Sequence, residues 1–239
     1  VRGRMFFTLT SSYYTGRYVM KSDWRVYGKK ADFKRLADKY SIDQVIARII
    51  RNRDICGDSD IDMYLNGDIK DMHDPKDMKD AVVSVDIIEK KIKEKCRIRI
   101  IGDYDIDGIC SIYILYKGLL AAGADVDYVV PHRINDGYGI NEHLIDNALS
   151  DGIDTIITCD NGISAYSQVK YAKDNGMTVI VTDHHDVPFD MIDGEKKYCI
   201  PPADAVVNPK QTSCKYPFKL LCGAGVAYKL YAFFMKEWE

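Results

Sequence analysis

One stretch of eleven residues, 98–108, constrains this chain more than any other: Ile-Arg-Ile-Ile-Gly-Asp-Tyr-Asp-Ile-Asp-Gly. An apolar run of buried-strand type (Ile98, Ile100, Ile101) stops at Gly102, and three carboxylates follow at alternate positions: Asp103, Asp105 and Asp107. A chain still extended as it leaves a strand points every second side chain the same way. The three acids would then share one face and repel one another unless a cation held them, and hard divalent ions take such oxygen ligands. A solvated acidic turn capping a helix that starts near Gly108 fits the same residues, so the stretch alone leaves both readings open.

Two later strands end in the same chemistry. Hydrophobic patterning predicts a strand at 97–101, a helix at 109–122, a strand at 126–130 and a helix at 141–149. A strand at 154–159, a helix at 163–175 and a strand at 177–182 follow. This alternation predicts an α/β fold with a parallel β-sheet sandwiched by helices, in which ligands gather at the carboxyl ends of the strands. One of those ends delivers Asp160-Asn161-Gly162, and the next delivers Asp183-His184-His185-Asp186. Asp-Asn-Gly alone is an ordinary turn sequence, but three strands placing Asp and His at one sheet edge predict a metal site. Carboxylates with imidazole as the softer partner suit manganese or magnesium better than zinc held by thiolates. Several acids about one point suggest two ions roughly 3.5–4 Å apart, clamping a phosphoryl group and activating a water. Adjacent His184 and His185 would point in opposite directions on an extended chain, making at most one an easy ligand.

Composition narrows the class. A chain of 239 residues that is 46% hydrophobic can bury a sizeable core, as one large domain or a domain with a small lobe. Its 33 basic and 36 acidic residues leave a formal net charge of -3, unlike a protein that holds polyanions by bulk charge. Seven cysteines without a Cys-x-x-Cys pair point to a reduced, cytoplasmic protein. No apolar run approaches the roughly 20 residues of a membrane-spanning helix, so no membrane is expected.

Ahead of the core, residues 1–19 read as a tail or added segment, with Met20 as a plausible start. Residues 20–80 read as a helical N-terminal lobe. Within it, residues 21–53 carry ten Lys and Arg against four Asp, and residues 54–80 reverse this with three Lys against nine Asp. The basic part could steer a nucleic acid strand or simply be a solvated face. Ser41 and Gln44 form a capping-box pattern before an apolar stripe of Val45, Ile46, Ile49 and Ile50. A long helix is predicted to begin at Asp74-Pro75 and run through Val82, Val85, Ile88 and Ile92. Residues 81–239 form the catalytic candidate. Between its strands lies a loop, 131–139, in which Arg133 can make paired hydrogen bonds to phosphate. Gly137 and Gly139 there would let backbone approach closely, and Tyr138 could stack or hydrogen-bond.

Taken in order, residues 102–108, the Arg133…Asp136-Gly137-Tyr138-Gly139 loop, residues 158–162 and Asp183-His184-His185 resemble the DHH phosphoesterases. Within them the chain is most similar to the RecJ-type single-stranded-DNA-specific exonucleases. His73-Asp74-Pro75-Lys76-Asp77-Met78, Asn208-Pro209-Lys210 and residues 223–230 extend the likeness, which runs from about Trp24 to the end. The resemblance implies a two-manganese nuclease removing nucleotides from the 5′ end of single-stranded DNA, with DNA repair or recombination proteins as partners. It also implies Asp105, Asp107, Asp160 and His184 as metal ligands, with Asp160 the bridge. Asp103 and His185 become close catalytic support, Arg133 the phosphate holder, and Tyr138 and Gly137 further substrate contacts. Such chains continue to a Gly-Thr-x-Ala-Asp segment, whose Asp completes the metal site, and to a strand-gripping domain. This sequence has neither, and is expected to be an incomplete, weakly active fragment. Two other functions fit the motifs: a small-substrate phosphoesterase (short oligonucleotides, cyclic dinucleotides or pyrophosphate) and a non-catalytic binder on the same fold.

Overall fold

The computed structural model describes residues 28–132, 137 and 139–238, which fall into two compact units, one ending at Met72 and one starting at His73. The first unit holds α1 (Phe33–Tyr40), α2 (Gln44–Asn52) and α3 (Asp58–Asn66) around Leu36, Ala47, Ile50 and Ile61. The expected Ser41/Gln44 capping box does not form. Ser41 ends α1 in the left-handed region at φ 52, and Asp43 caps α2 by accepting from Val45 N at 2.7 Å. That start turns Ala47 and Ile50 inward and leaves Val45 62% exposed, with Ile46 and Ile49 outward too, so of the expected stripe Ile50 alone is buried. Lys29, Lys34, Lys39 and Arg51 of the basic stretch pair with Asp54, Asp38, Asp58 and Asp54, which mutes the local positive charge.

The second unit begins eight residues before the boundary expected after residue 80, because Met78 is buried in its core and Asp80 Oδ2 accepts from Val206 N at 3.2 Å. The same ties break the long helix expected from Asp74. Asp74 does cap, accepting from Lys76 N, but only a 3-10 turn forms at Pro75–Asp77. The chain turns inward at Met78, passes through a left-handed Asp80 (φ 60), and restarts as α4 (Ala81–Lys93), on which Val82 faces outward.

Beyond α4 the order is β1 (Arg97–Ile101), α5 (Ile106–Ala121), β2 (Asp125–Val129), α6 (Glu142–Ser150), β3 (Thr155–Cys159), α7 (Tyr166–Asp174) and β4 (Thr178–Thr182). A hairpin of β5 (Phe189–Ile192) and β6 (Glu195–Tyr198), then β7 (Ala205–Val207) and α8 (Gly223–Trp238), complete the unit. Neither the hairpin nor β7 was anticipated: β5 and β6 are exposed along their whole length, and three residues are too few for β7 to show a period. The five-stranded sheet is all parallel in the order β2-β1-β3-β4-β7. Its central strands are buried on both faces, which is why they read as continuous apolar runs. Ile98, Ile100, Ile157, Ile180 and Val207 pack beneath α4, α5 and α8, while Ile101, Ile156, Val179, Val181 and Val206 pack beneath α6 and α7. Register brings Ile101 opposite Thr158, Cys159 opposite Thr182 and Thr182 opposite Val207, so four strands end at one level. The chain crosses from β1 to β2 on one side and returns to β3 on the other. The crevice between β1 and β3 is therefore a topological switch point, where such sheets bind ligands.

Candidate metal centre

Asp103 leaves β1 at that switch point. It is 4% exposed, its Oδ1 has no hydrogen-bond partner among the described residues, and burial pushes its pKa up. The chain does not stay extended past it. Asp105 Oδ1 accepts from the backbone N–H of Asp107 (2.8 Å) and Gly108 (3.0 Å), making Asp105 the N-cap of α5. Asp107 therefore sits on the first turn of a helix, where both its oxygens accept backbone N–H bonds from α8. The alternation that drew these three acids together is broken by the helix that the same acids start.

Asp160 follows β3 on the other side of the crevice, with a left-handed backbone (φ 60) and only 2% exposure. Burial first, and then the charges of Asp107 and Asp105, raise its pKa to about 7. Next to it, Asn161 staples the crevice, donating from Nδ2 to Ile101 O (3.0 Å) and Cys159 O (2.9 Å) and accepting from Ile140 N. From the sequence alone Asp160-Asn161-Gly162 reads as an ordinary turn. A buried amide bridging two strand ends has no local sequence signal.

Asp183 ends β4 and organises both histidines. Oδ1 accepts from the backbone N–H of His184 (2.7 Å) and His185 (3.1 Å) and from His185 Nδ1 (2.7 Å), while Oδ2 accepts from Ile163 N. Desolvation opposes its ionisation, but these donors hold its pKa below the usual carboxylate range. Asp183 in turn raises the pKa of His185. The turn it builds overrides the expectation that His184 and His185 point apart: their ring centroids lie 4.5 Å from each other. His184 Nε2 lies 3.1 Å from Asp160 Oδ1 and 3.6 Å from Asp107 Oδ2. Asn208 Nδ2 donates to His185 O, and Lys210 pairs with Asp186, so the stretch after β7 buttresses the turn. Asn161 and Asn208 take roles here that no sequence pattern assigns, and Asp183, which the sequence shows only as one of the strand-end acids, is the residue that orders both histidines.

Two donor sets result. One ligand atom each from Asp103, Asp105 and Asp160 fall within 4.8 Å of one another, as do those of Asp160, His184 and His185. Asp160 belongs to both. Hard carboxylate oxygens, one of them on Asp103 buried and without a hydrogen-bond partner among the described residues, together with two imidazoles form a donor set that fits divalent cations. Arg133 and Tyr138 lie outside the described residues. Gly137 is described, at φ 76 with open space where a β carbon would stand.

Residues 97–239 match the DHH family, N-terminal domain. The single-stranded-DNA-specific exonuclease RecJ of Bacillus subtilis is 35% identical over 211 residues, covering 88% of this chain and 26% of that protein. The RecJ of Salmonella typhimurium is 40% identical over 148 residues, covering 62% of this chain and 24% of that protein. The chain thus spans about a quarter of the length of these relatives. A crystal structure of exonuclease RecJ bound to manganese aligns with a TM-score of 0.57 at 33% identity, over 67% of this chain and 38% of that one.

Proposed function

Because this chain belongs to the DHH family, we propose that it carries the catalytic core of a RecJ-like exonuclease, which hydrolyses single-stranded DNA from the 5′ end with two divalent ions, manganese or magnesium. The observation that carries this reading is the sharing of Asp160 between the two donor sets. The names and bound metal of the relatives support the substrate class and the ion.

Asp105, Asp107, Asp160 and His184 would hold the two ions, with Asp160 common to both donor sets, and Asp103 and His185, each inside one of those sets, would stand as close support. Asp107, a ligand by the family resemblance, has its Oδ2 3.6 Å from His184 Nε2. The chemistry that bound divalent ions supply at such a site is activation of water and neutralisation of phosphoryl charge. The chain's own residues arrange the rest. The bond to Asp183 places a proton on His185 Nδ1 and leaves Nε2 as the lone-pair donor. Asn161 keeps the ends of β1 and β3 at fixed separation beneath the acids. Arg133 holds phosphate through its planar fork, Tyr138 stacks on a base, and Gly137 leaves room for the strand.

The test is a substrate series with manganese: 5′-phosphorylated single strands of several lengths, the matching duplexes, a cyclic dinucleotide and pyrophosphate. Release of 5′ mononucleotides from single strands only, abolished by Asp160→Ala, is the expected result. Turnover of the small substrates with single strands left intact would replace this reading by the small-substrate phosphoesterase. Manganese binding without turnover of any substrate, both by this chain and by this segment set in place of its counterpart in the full-length Bacillus subtilis relative, would favour a binding protein.

A further inference from the structure

The amino end of α8 rests against two of the site carboxylates. Gly223 N donates to Asp107 Oδ2 and Ala224 N to Asp107 Oδ1, both at 2.7 Å, across 116 and 117 residues of chain. First-turn amides have no partner inside their own helix, so Asp107, itself on the first turn of α5, caps α8 from outside. Gly223 also faces Asp160. A β carbon on Gly223 would overlap Asp160 Oδ1 and lie 2.6 Å from its Cγ and 2.7 Å from its Cβ. Asp160, 2% exposed, has little room to retreat. Along the amino end of α8 the constraint eases quickly. Two residues on, a β carbon on Gly225 would come no closer than 3.3 Å to anything, the nearest atom being Leu221 Cδ2.

We infer that Gly223 is a positioning residue: lacking a side chain, it lets the amino end of α8 close on the site and hold Asp107 and Asp160 side by side against His184. The inference rests on the metal-binding reading of these acids. It goes beyond that reading by assigning the spacing of two carboxylates to a residue with no side-chain ligand of its own. Asp107 Oδ2 and Asp160 Oδ1 flank His184 Nε2 at 3.6 and 3.1 Å. A carboxylate clamped by two backbone donors is preorganised, and a preorganised site gives up less freedom when it takes an ion.

Manganese is titrated calorimetrically into the wild-type chain, Gly223→Ala and Gly225→Ala, and the metal-free melting temperature of each is measured. The expected result is binding at least about tenfold weaker in Gly223→Ala and unchanged affinity in Gly225→Ala, with a cooperative metal-free melt in both variants, at lower temperature for Gly223→Ala. Wild-type affinity in Gly223→Ala would overturn the inference and leave the metal site standing. No manganese binding by the wild type would overturn both. Should Gly223→Ala not fold, hydrogen exchange of the wild type and Asp107→Ala, which removes both acceptors, decides. The Gly223 and Ala224 amides should be protected in the wild type and exchange at least about tenfold faster in the variant, with Leu230 unchanged. Unprotected amides at both positions in the wild type would overturn the inference.

Discussion

Asp183 Oδ1 and His185 Nδ1 lie 2.7 Å apart, and this bond, with the two backbone N–H groups that the same oxygen accepts, turns both histidines toward Asp160. Asp183 is 1% exposed, and Ile163 N fills its second oxygen. Replacing it strands several buried donors. Asp183→Ala should lower stability by about 3 kcal/mol, read as a shift of the urea midpoint. His185 should titrate at lower pH by NMR once its carboxylate partner is gone.

Asp160 makes the metal-free protein's stability depend on pH. Its folded pKa of about 7 lies above the ordinary aspartate value, so the folded state binds the proton more tightly than the unfolded state. The resulting stability is fully present below the unfolded pKa and is lost as pH rises through about 7. Asp160→Asn should remove this slope. Thermal melts in chelator should show the wild type losing about 2 kcal/mol relative to Asp160→Asn between pH 5 and pH 8.

Asn161 satisfies two carbonyls and one N–H at the crevice floor, and all of these contacts are buried. Asn161→Ala leaves those groups without their partner and should cost about 3 kcal/mol. Asn161→Asp cannot donate to Ile101 O or Cys159 O and adds a charge beside Asp160, so it should unfold at lower denaturant than the wild type as well. Chemical denaturation of the three proteins checks this. Wild-type midpoints in both variants would show that the staple contributes nothing.

Arg99, 7% exposed on β1, binds Asp127 through Nε (2.7 Å) and Nη2 (2.6 Å) and reaches Asp151 at 2.9 Å. Lysine would keep the charge but lose the planar fork. Arg99→Lys should lower stability by about 1–2 kcal/mol with manganese affinity unchanged, as measured by melting and calorimetry. Lost manganese affinity would tie the edge strand to the metal site.

The core of this fold was legible because its strands are buried on both faces. Ile98, Ile100 and Ile101, or Val179, Ile180 and Val181, are apolar at successive positions because each face of the sheet has its own helix layer. Strand ends were legible for the same reason, since the first polar residues after each run mark the sheet edge. β7 and the β5–β6 hairpin were not legible, and neither was the break before α4. Each of these depends on distant partners: Asp80 on Val206, and Met78 on the sheet core.

The sequence by itself determined which residue types gather at the carboxyl edge: acids after β1, an acid after β3, and Asp-His-His after β4. Only the tertiary structure decided how they are shared out. Alternation along an extended chain would have grouped Asp103, Asp105 and Asp107, but Asp105 starts a helix and Asp107 is drawn to the amino end of α8. The same rule would have sent His184 and His185 apart, but the buried Asp183 carboxylate collects their backbone amides and folds them to one side. In both cases a carboxylate accepting backbone N–H groups overrode the local period. Hydrogen bonds to a charged acceptor are strong, and the residues they bring together can lie anywhere in the chain.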